Sequence, residues 1–127
     1  MSFIMQINIV SASEVPIYKQ IYEQISRQIL RGDLPGDYCL PSIRSVALEL
    51  RISVITIKKA WEDLESDGLI YTIVGKGCFV TPQAPGKRQD KRDEMAAEKM
   101  KKDLEYYKAL GLSLAEIQEL ASVHYHE

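Results

Sequence analysis

The groups in this sequence that could do chemistry are basic side chains concentrated in one segment. Between Pro41 and Trp61, four basic residues stand against one acidic residue, a local charge of +3 in a chain whose net charge is −2. The four basic residues are Arg44, Arg51, Lys58 and Lys59. Such a concentration indicates a surface that faces phosphate groups. An ordinary solvated face is the alternative, and charge alone would favour it.

A further basic residue, Lys76, lies between Gly75 and Gly77. One interpretation is a hairpin turn whose glycines supply positive φ angles. The other places Lys76 beside a minor groove or its phosphates, with glycines that let the backbone approach closely. A charged side chain held between two glycines favours the second interpretation.

Residues for catalysis or metal binding are poorly placed. The chain has no nucleophile elbow, phosphate-binding glycine loop or HExxH motif. Its two histidines, His124 and His126, lie near the end without a nearby cysteine, so a solvated tail is favoured over a zinc site. Cys39 and Cys78 are far apart in sequence, and bystander thiols are favoured over a redox switch. We therefore expect no enzyme activity, no metal and no cofactor.

Three amphipathic helices are expected to position the basic segment. The first follows Pro16 and ends at Gly32, the second opens at Pro41–Ser42, and the third is capped by Ser53 and ends at Asp67–Gly68. Their apolar stripes are Ile17, Ile21, Ile25 and Ile29; Ile43, Val46, Ala47 and Leu50; and Ile57, Ala60, Trp61 and Leu64. The second and third helices are joined by a tight turn, which is the pattern of a helix-turn-helix.

Two β-rich runs follow, residues 69–74 and 78–81, and are predicted to form a hairpin. A hairpin directly after a helix-turn-helix is a wing. Alternation from Met5 to Val10 also predicts a short strand. The predicted fold class is mainly α with a small β-hairpin wing, in a domain covering residues 1–82.

Residues 83–127 are predicted to be a linker followed by two helices. Gly111 ends the first of these, and a capping box from Ser113 to Glu116 starts the second. About forty residues cannot bury a core of their own, so the apolar stripes must rest on the first domain or on another copy of the chain. The predicted dimerisation residues are Met100, Leu104, Tyr107, Leu110, Leu114, Ile117 and Leu120.

The first turn of the third helix carries two β-branched apolar residues, Val54 and Ile55. In a helix-turn-helix, early residues of this helix reach base edges in the major groove. Val54 and Ile55 could therefore contact thymine methyl groups. The alternative is that they pack against the preceding helix. Thr56 suits a phosphate or a base, and Lys58 and Lys59 suit backbone phosphates, with guanine O6 and N7 as a second option.

Residues from Val15 to Val80 resemble the DNA-binding domain of the GntR family of bacterial regulators. The matching text is PIYKQIYEQI, residues 29–33, LPSIRSVALEL and ITIKKAWEDLESDGLIYTIVGKGCFV. A short two-helix tail is similar to the YtrA-type subgroup, whose tail serves for dimerisation.

The resemblance implies site residues by position. It gives phosphate or base contacts at Ser42 and Arg44, recognition-helix contacts at Ser53, Thr56 and Lys58, and wing-tip contacts at Gly75 and Lys76. Three features depart from the family pattern.

Val54 replaces a polar base reader, and Arg51 replaces the glycine of the inter-helix turn, which predicts a positive φ at Arg51. The Pro-Gly pair of LPGDYCLPS stands one place early, followed by one extra residue.

The sequence therefore allows two functions. The first is a homodimeric regulator, a repressor, that binds double-stranded operator DNA in the cytoplasm. The second is a winged-helix module that binds proteins and no DNA, which the sequence pI of about 5.7 and the Val54–Ile55 pair favour. No apolar run is long enough to cross a membrane, no signal peptide is expected at the start of the chain, and the sequence does not indicate an effector.

Overall fold

The computed structural model describes residues 6–83 and 86–127. The elements are α1 (Ile17–Arg31), α2 (Ile43–Leu50), α3 (Val54–Ser66), β1 (Ile70–Ile73), β2 (Gly77–Val80), α4 (Lys87–Ala109) and α5 (Leu114–Tyr125). The chain divides into two compact units, one up to Arg88 and one from Gln89 onward. The predicted fold class, mainly α with a β-hairpin wing, is confirmed.

The first unit has a single apolar core, which α1, α2, α3 and the hairpin share. The predicted helix stripes supply most of it, and α3 packs against α1, α2 and β1. Buried side chains of this core are Ile21, Ile25, Ile29, Leu34, Leu40, Val46, Ala47, Ile57, Ala60, Trp61, Leu64, Leu69, Ile70 and Val80. Burial of these side chains fixes the orientation of α2 and α3, and therefore of every group on their outer faces.

The helix ends follow the local signals in the sequence. Gly32 closes α1 in the left-handed conformation, with φ of 86°. Ser53 caps α3 as predicted, because its Oγ accepts a hydrogen bond from the Thr56 backbone N–H. Arg51 ends α2 in the left-handed conformation, with φ of 57°. The predicted positive φ at this non-glycine residue is therefore confirmed.

The hairpin is antiparallel, with Ile70 opposite Val80 and Ile73 opposite Gly77. A third segment lies along the other edge of β2, where Cys39 forms a bridge with Phe79. The Leu40 N–H donates to the Cys78 carbonyl, at 2.9 Å. Only the base of the wing is therefore three strands wide.

The strand predicted from Met5 to Val10 is not formed over its described part, residues 6–10, which pairs with no strand; Met5 lies outside the described residues. The side chains of three glutamines on α1 replace the missing partner strand. Gln24 binds both backbone groups of Asn8: its Oε1 accepts from the Asn8 N–H and its Nε2 donates to the Asn8 carbonyl, each at 2.8 Å. Gln28 does the same at Gln6, and Gln20 at Val10.

The spacing of the glutamines explains this arrangement. Four residues of helix rise about 6 Å, and two residues of extended chain advance about 6.6 Å. Glutamines four apart therefore meet every second backbone unit of the segment. We name residues 6–10 the N-terminal arm.

Replacing Gln24 by Met is expected to loosen the arm while leaving α1 intact. The substitution keeps the length of the side chain but removes both hydrogen bonds to Asn8. Loss of about 1 kcal/mol corresponds to about five- to tenfold faster hydrogen exchange at the Asn8 amide. Glu23→Met, at the exposed neighbouring position, is the matched control and should leave that rate unchanged. Equal exchange rates at Asn8 in the two variants would contradict this account of the arm.

In the second unit, neither α4 nor α5 has a buried residue. The predicted capping box is present: the Ser113 Oγ accepts from the Glu116 N–H, and the Glu116 carboxylate accepts from the Ser113 N–H. The hydrogen bond that the Glu116 carboxylate accepts from the Ser113 backbone N–H lowers the pKa of Glu116. Among the described residues, no helix is both long enough and apolar enough to span a bilayer.

Candidate nucleic-acid interface

The interface begins with the amino ends of α2 and α3. Ser42 caps α2 by accepting a hydrogen bond from the Ser45 N–H at 3.1 Å. Ser53 caps α3 in the same way, accepting from Thr56 at 3.2 Å. Free backbone N–H groups and the helix dipole make such ends favourable for an anion.

The wing lies beside the amino end of α2. Its tip turns through Gly75 and Gly77, whose φ angles are 80° and 129°. The Lys76 N–H donates to the Ile73 carbonyl at 2.9 Å, which closes the turn. Positive φ at both glycines agrees with the interpretation of this segment as a hairpin turn. The Lys76 side chain is exposed.

One open groove joins these two parts of the chain. It has a volume of about 450 Å³, and Ser42 and Arg44 from α2 and Lys76 and Gly77 from the wing line it. Cys39, Cys78 and Trp61 are also in its lining. The fold therefore brings together basic residues that are more than thirty positions apart in sequence. We name this feature the α2–wing groove.

Three cations, one each on α2, α3 and the wing, have no carboxylate partner in the part of the chain that the structure describes. Among residues 6–83 and 86–127, no Asp or Glu forms an ion pair with Arg44, Lys58 or Lys76. All three side chains are exposed. An exposed cation without an internal partner retains its charge for an external anion.

Lys59 differs from these three. Its Nζ forms an ion pair with Asp63 at 2.9 Å and lies over the Tyr18 ring at 5.6 Å. The hydrogen bond to Asp63 raises the pKa of Lys59. The structure therefore directs Lys59 toward α1, and its charge is already balanced within the protein.

The first turn of α3 exposes Val54 and Ile55, for which the sequence allowed either contact with thymine methyl groups or packing against α2. Ile55 is 81% exposed and Val54 46% exposed. Ile55 does not pack against α2, so that alternative is wrong for this residue. Contact of either side chain with a base stays a prediction.

The model of bacterial regulatory proteins of the gntR family matches residues 17–80, half of the chain. The matched residues cover all three core helices and the complete wing. The chain belongs to the GntR family. Its members are bacterial regulatory proteins, and the transcriptional repressors and DNA complexes similar to this GntR protein identify it as a DNA-binding regulator of transcription.

Relatives extend the comparison beyond the matched half. The transcriptional repressor YtrA of Bacillus subtilis is 32% identical over 114 residues, which cover 89% of this chain and 87% of YtrA. The expected kinship with YtrA is thereby confirmed. The repressor NagR of the same organism is 43% identical over 74 residues, but the chain spans only 30% of the length of NagR.

Solved structures agree with this assignment. The crystal structure of a transcriptional antiterminator from Listeria monocytogenes has a TM-score of 0.74 at 30% identity, with 96% of this chain and 90% of that chain covered. The AraR DNA-binding domain in complex with operator ORX1 has a TM-score of 0.54 at 31% identity, covering 61% of this chain and 96% of that chain. The second structure holds DNA on a domain of the same fold.

The tail of the GntR protein exposes most of the residues predicted for dimerisation. Leu104, Tyr107 and Ile117 are half-buried within the second unit. The exposed members of the predicted set are Met100, Leu110, Leu114 and Leu120. Sequence reasoning missed three more exposed apolar residues, Tyr106, Val123 and Tyr125. Tyr106 and Tyr125 fall outside the three- and four-residue spacing that selected the others, whereas Val123, three residues after Leu120, continues that spacing and was available from the sequence.

The cysteines and histidines have simple surroundings. Cys39 is exposed and Cys78 half-buried, and both are free thiols. The His124 Nδ1 lies 3.0 Å from a Glu127 carboxylate oxygen. Within the described ranges, no group of His, Cys, Asp and Glu side chains is suited to hold a metal ion.

Sequence reasoning also missed that Cys39, Trp61 and Cys78 line the groove. Trp61 was assigned to the core, and it is indeed buried. The exposed Val74 at the wing tip was missed as well. Its place next to the Gly75–Gly77 turn was the available signal.

Proposed function

We propose that this GntR protein is a repressor that binds a palindromic DNA operator as a homodimer. The observation that carries the proposal is the α2–wing groove, which brings together Arg44 and Lys76, neither of which has a carboxylate partner among the described residues. A duplex offers the matching row of phosphates. The proposal gives the chain no enzymatic reaction and places it with the DNA in the bacterial cytoplasm.

In the proposed complex, α3 enters the major groove with its amino end leading. Val54, Ile55 and Thr56 then approach base edges, while Ser42, Ser53 and the exposed cations approach phosphates. The wing reaches the neighbouring minor groove or its backbone, where Gly75 and Gly77 permit close approach. Lys59 contributes less than Lys58, because Asp63 already balances its charge.

The tail supports the homodimer. None of the apolar side chains of α4 and α5 is buried. A second copy of the chain would cover them. Two-fold symmetry then requires two half-sites about 34–36 Å apart, one helical turn of DNA. The repressor role is supported by the names of YtrA and NagR.

Lys58→Ala and Lys76→Ala test the proposal directly. Each removes one phosphate contact from both half-sites, so operator affinity should fall about tenfold or more and the slope of log K against log salt by about two. Fluorescence anisotropy with a labelled duplex over a range of salt concentrations measures both quantities.

Lys19→Ala is the matched control for these variants. Lys19 is an exposed lysine on α1, away from the residues that line the groove. It should alter neither the affinity nor the slope. Unchanged affinity in both Lys58→Ala and Lys76→Ala would contradict the proposed docking.

The exposed Ile55 also favours a second candidate, a winged-helix module that binds a protein partner and no DNA. The same titration separates the two functions. Absence of binding to duplexes from the promoter region of its own gene at low salt would favour the interaction module.

A further inference from the structure

The polar groups of the first turn of α3 already have partners within the helix. The Ser53 Oγ accepts from the Thr56 N–H at 3.2 Å and lies 2.7 Å from the Thr56 Oγ1. The two hydroxyl groups are therefore engaged with each other and with the helix end, and their mutual contact uses one of their two O–H donors. A base edge that approached this turn would meet the remaining hydroxyl donor beside the apolar side chains of Val54 and Ile55.

Ile55 is the side chain that protrudes from this turn. It is 81% exposed, so its apolar surface faces the solvent. Val54, beside it, is 46% exposed. Among the described residues neither is part of the core or of the apolar side chains packed against it.

The charges near this turn indicate what covers Ile55. Lys58 lies three residues further along α3, which places it on the same helix face, and it has no ion pair among the described residues. A protein partner with a purely apolar surface would leave this cation buried without a counter-charge. A DNA major groove instead combines flanking phosphates with one apolar feature, the 5-methyl group of thymine.

We infer that Ile55 is a specificity-determining residue that contacts a thymine 5-methyl group in each half-site. This inference rests on the proposed function and adds to it the chemical feature that the first turn of α3 recognises. Discrimination at that base pair then comes from removing a methyl group from water, and a hydrogen bond to the base is not required.

The test uses the full chain and a duplex selected by that chain from a random library. In the selected duplex, each thymine is replaced in turn by deoxyuridine, which lacks only the methyl group. Loss of one methyl contact should weaken binding about fourfold for one half-site and about fifteenfold when both half-sites are changed. 5-Methylcytosine at the same position in a cytosine-containing variant should strengthen binding relative to cytosine.

Ile55→Ala completes the comparison. Because the side chain is exposed, the variant should fold with an unchanged midpoint of thermal unfolding, and the deoxyuridine effect should disappear. Leu48→Ala is the matched control: Leu48 is 82% exposed on α2, and its loss should leave the deoxyuridine effect intact.

Each outcome bears on a separate claim. If no duplex can be selected at low salt, the proposed function fails. If a duplex binds but no thymine is sensitive to replacement, or if the sensitivity persists in Ile55→Ala, the inference about Ile55 is overturned while the regulator stands. Sensitivity that Ile55→Ala abolishes and Leu48→Ala preserves supports the inference.

Discussion

Ending the chain at Gln83 is expected to yield a monomer whose affinity for the operator is lower by about 10²- to 10⁴-fold. The buried core residues all precede this point, so the shortened protein should stay folded. Without α4 and α5, the apolar surface proposed to join two copies is lost. Each half-site must then be bound separately, and the gain from linking two binding events disappears.

Sedimentation equilibrium and anisotropy on the same preparations measure this prediction. Circular dichroism of the shortened protein verifies that α1, α2 and α3 are intact. Leu104→Glu in the full chain is a companion variant, because it places a charge in the apolar stripe of α4 and should also yield monomers. A dimeric shortened protein would show that the dimer contacts lie outside the tail.

Leu64→Ala is expected to lower the free energy of unfolding by about 2–5 kcal/mol. Leu64 lies on α3, has no exposed surface and is part of the apolar core. The cost combines lost burial with the cavity that remains. Against a typical total of about 5–15 kcal/mol, such a loss removes a large share of the stability of the protein.

Urea unfolding followed by Trp61 fluorescence measures this loss. The chain has one tryptophan, and it is buried on the same helix, so its emission reports the unfolding of the core directly. Leu48→Ala deletes the same atoms at an exposed position and should change the free energy of unfolding by less than about 0.5 kcal/mol. Equal losses in the two variants would mean that Leu64 is not a core residue in solution.

Much of the fold was predictable because its signals are local. Ser53 identified the start of α3, Gly32 the end of α1, and the departure at Arg51 the backbone angle there. A cap or a positive φ depends on a few neighbouring residues, so the sequence contains the whole cause. The two β-rich runs on either side of the Gly75–Gly77 turn likewise located the wing.

Other features depend on residues distant in sequence and could not be predicted. The N-terminal arm was predicted as a strand because alternation does not reveal whether the partner is backbone or the amide of Gln24. Lys59 was grouped with Lys58, and only the packing of α3 against α1 brings Tyr18 beneath it. The bridge of Cys39 with Phe79 likewise requires the folded core.

That bridge makes the wing unequally stiff along its length. At its root, β2 has a backbone partner on each side, through Ile70 and Cys39. Beyond Cys78, toward the tip, β2 pairs with β1 alone. The tip itself is the turn through Gly75 and Gly77. We therefore expect the root of the hairpin to be held more firmly than its tip, because only the root has backbone partners on both sides of β2. In the proposed complex, we expect the tip of the wing to adjust to differences in groove width beside the operator while the root of the wing keeps its position.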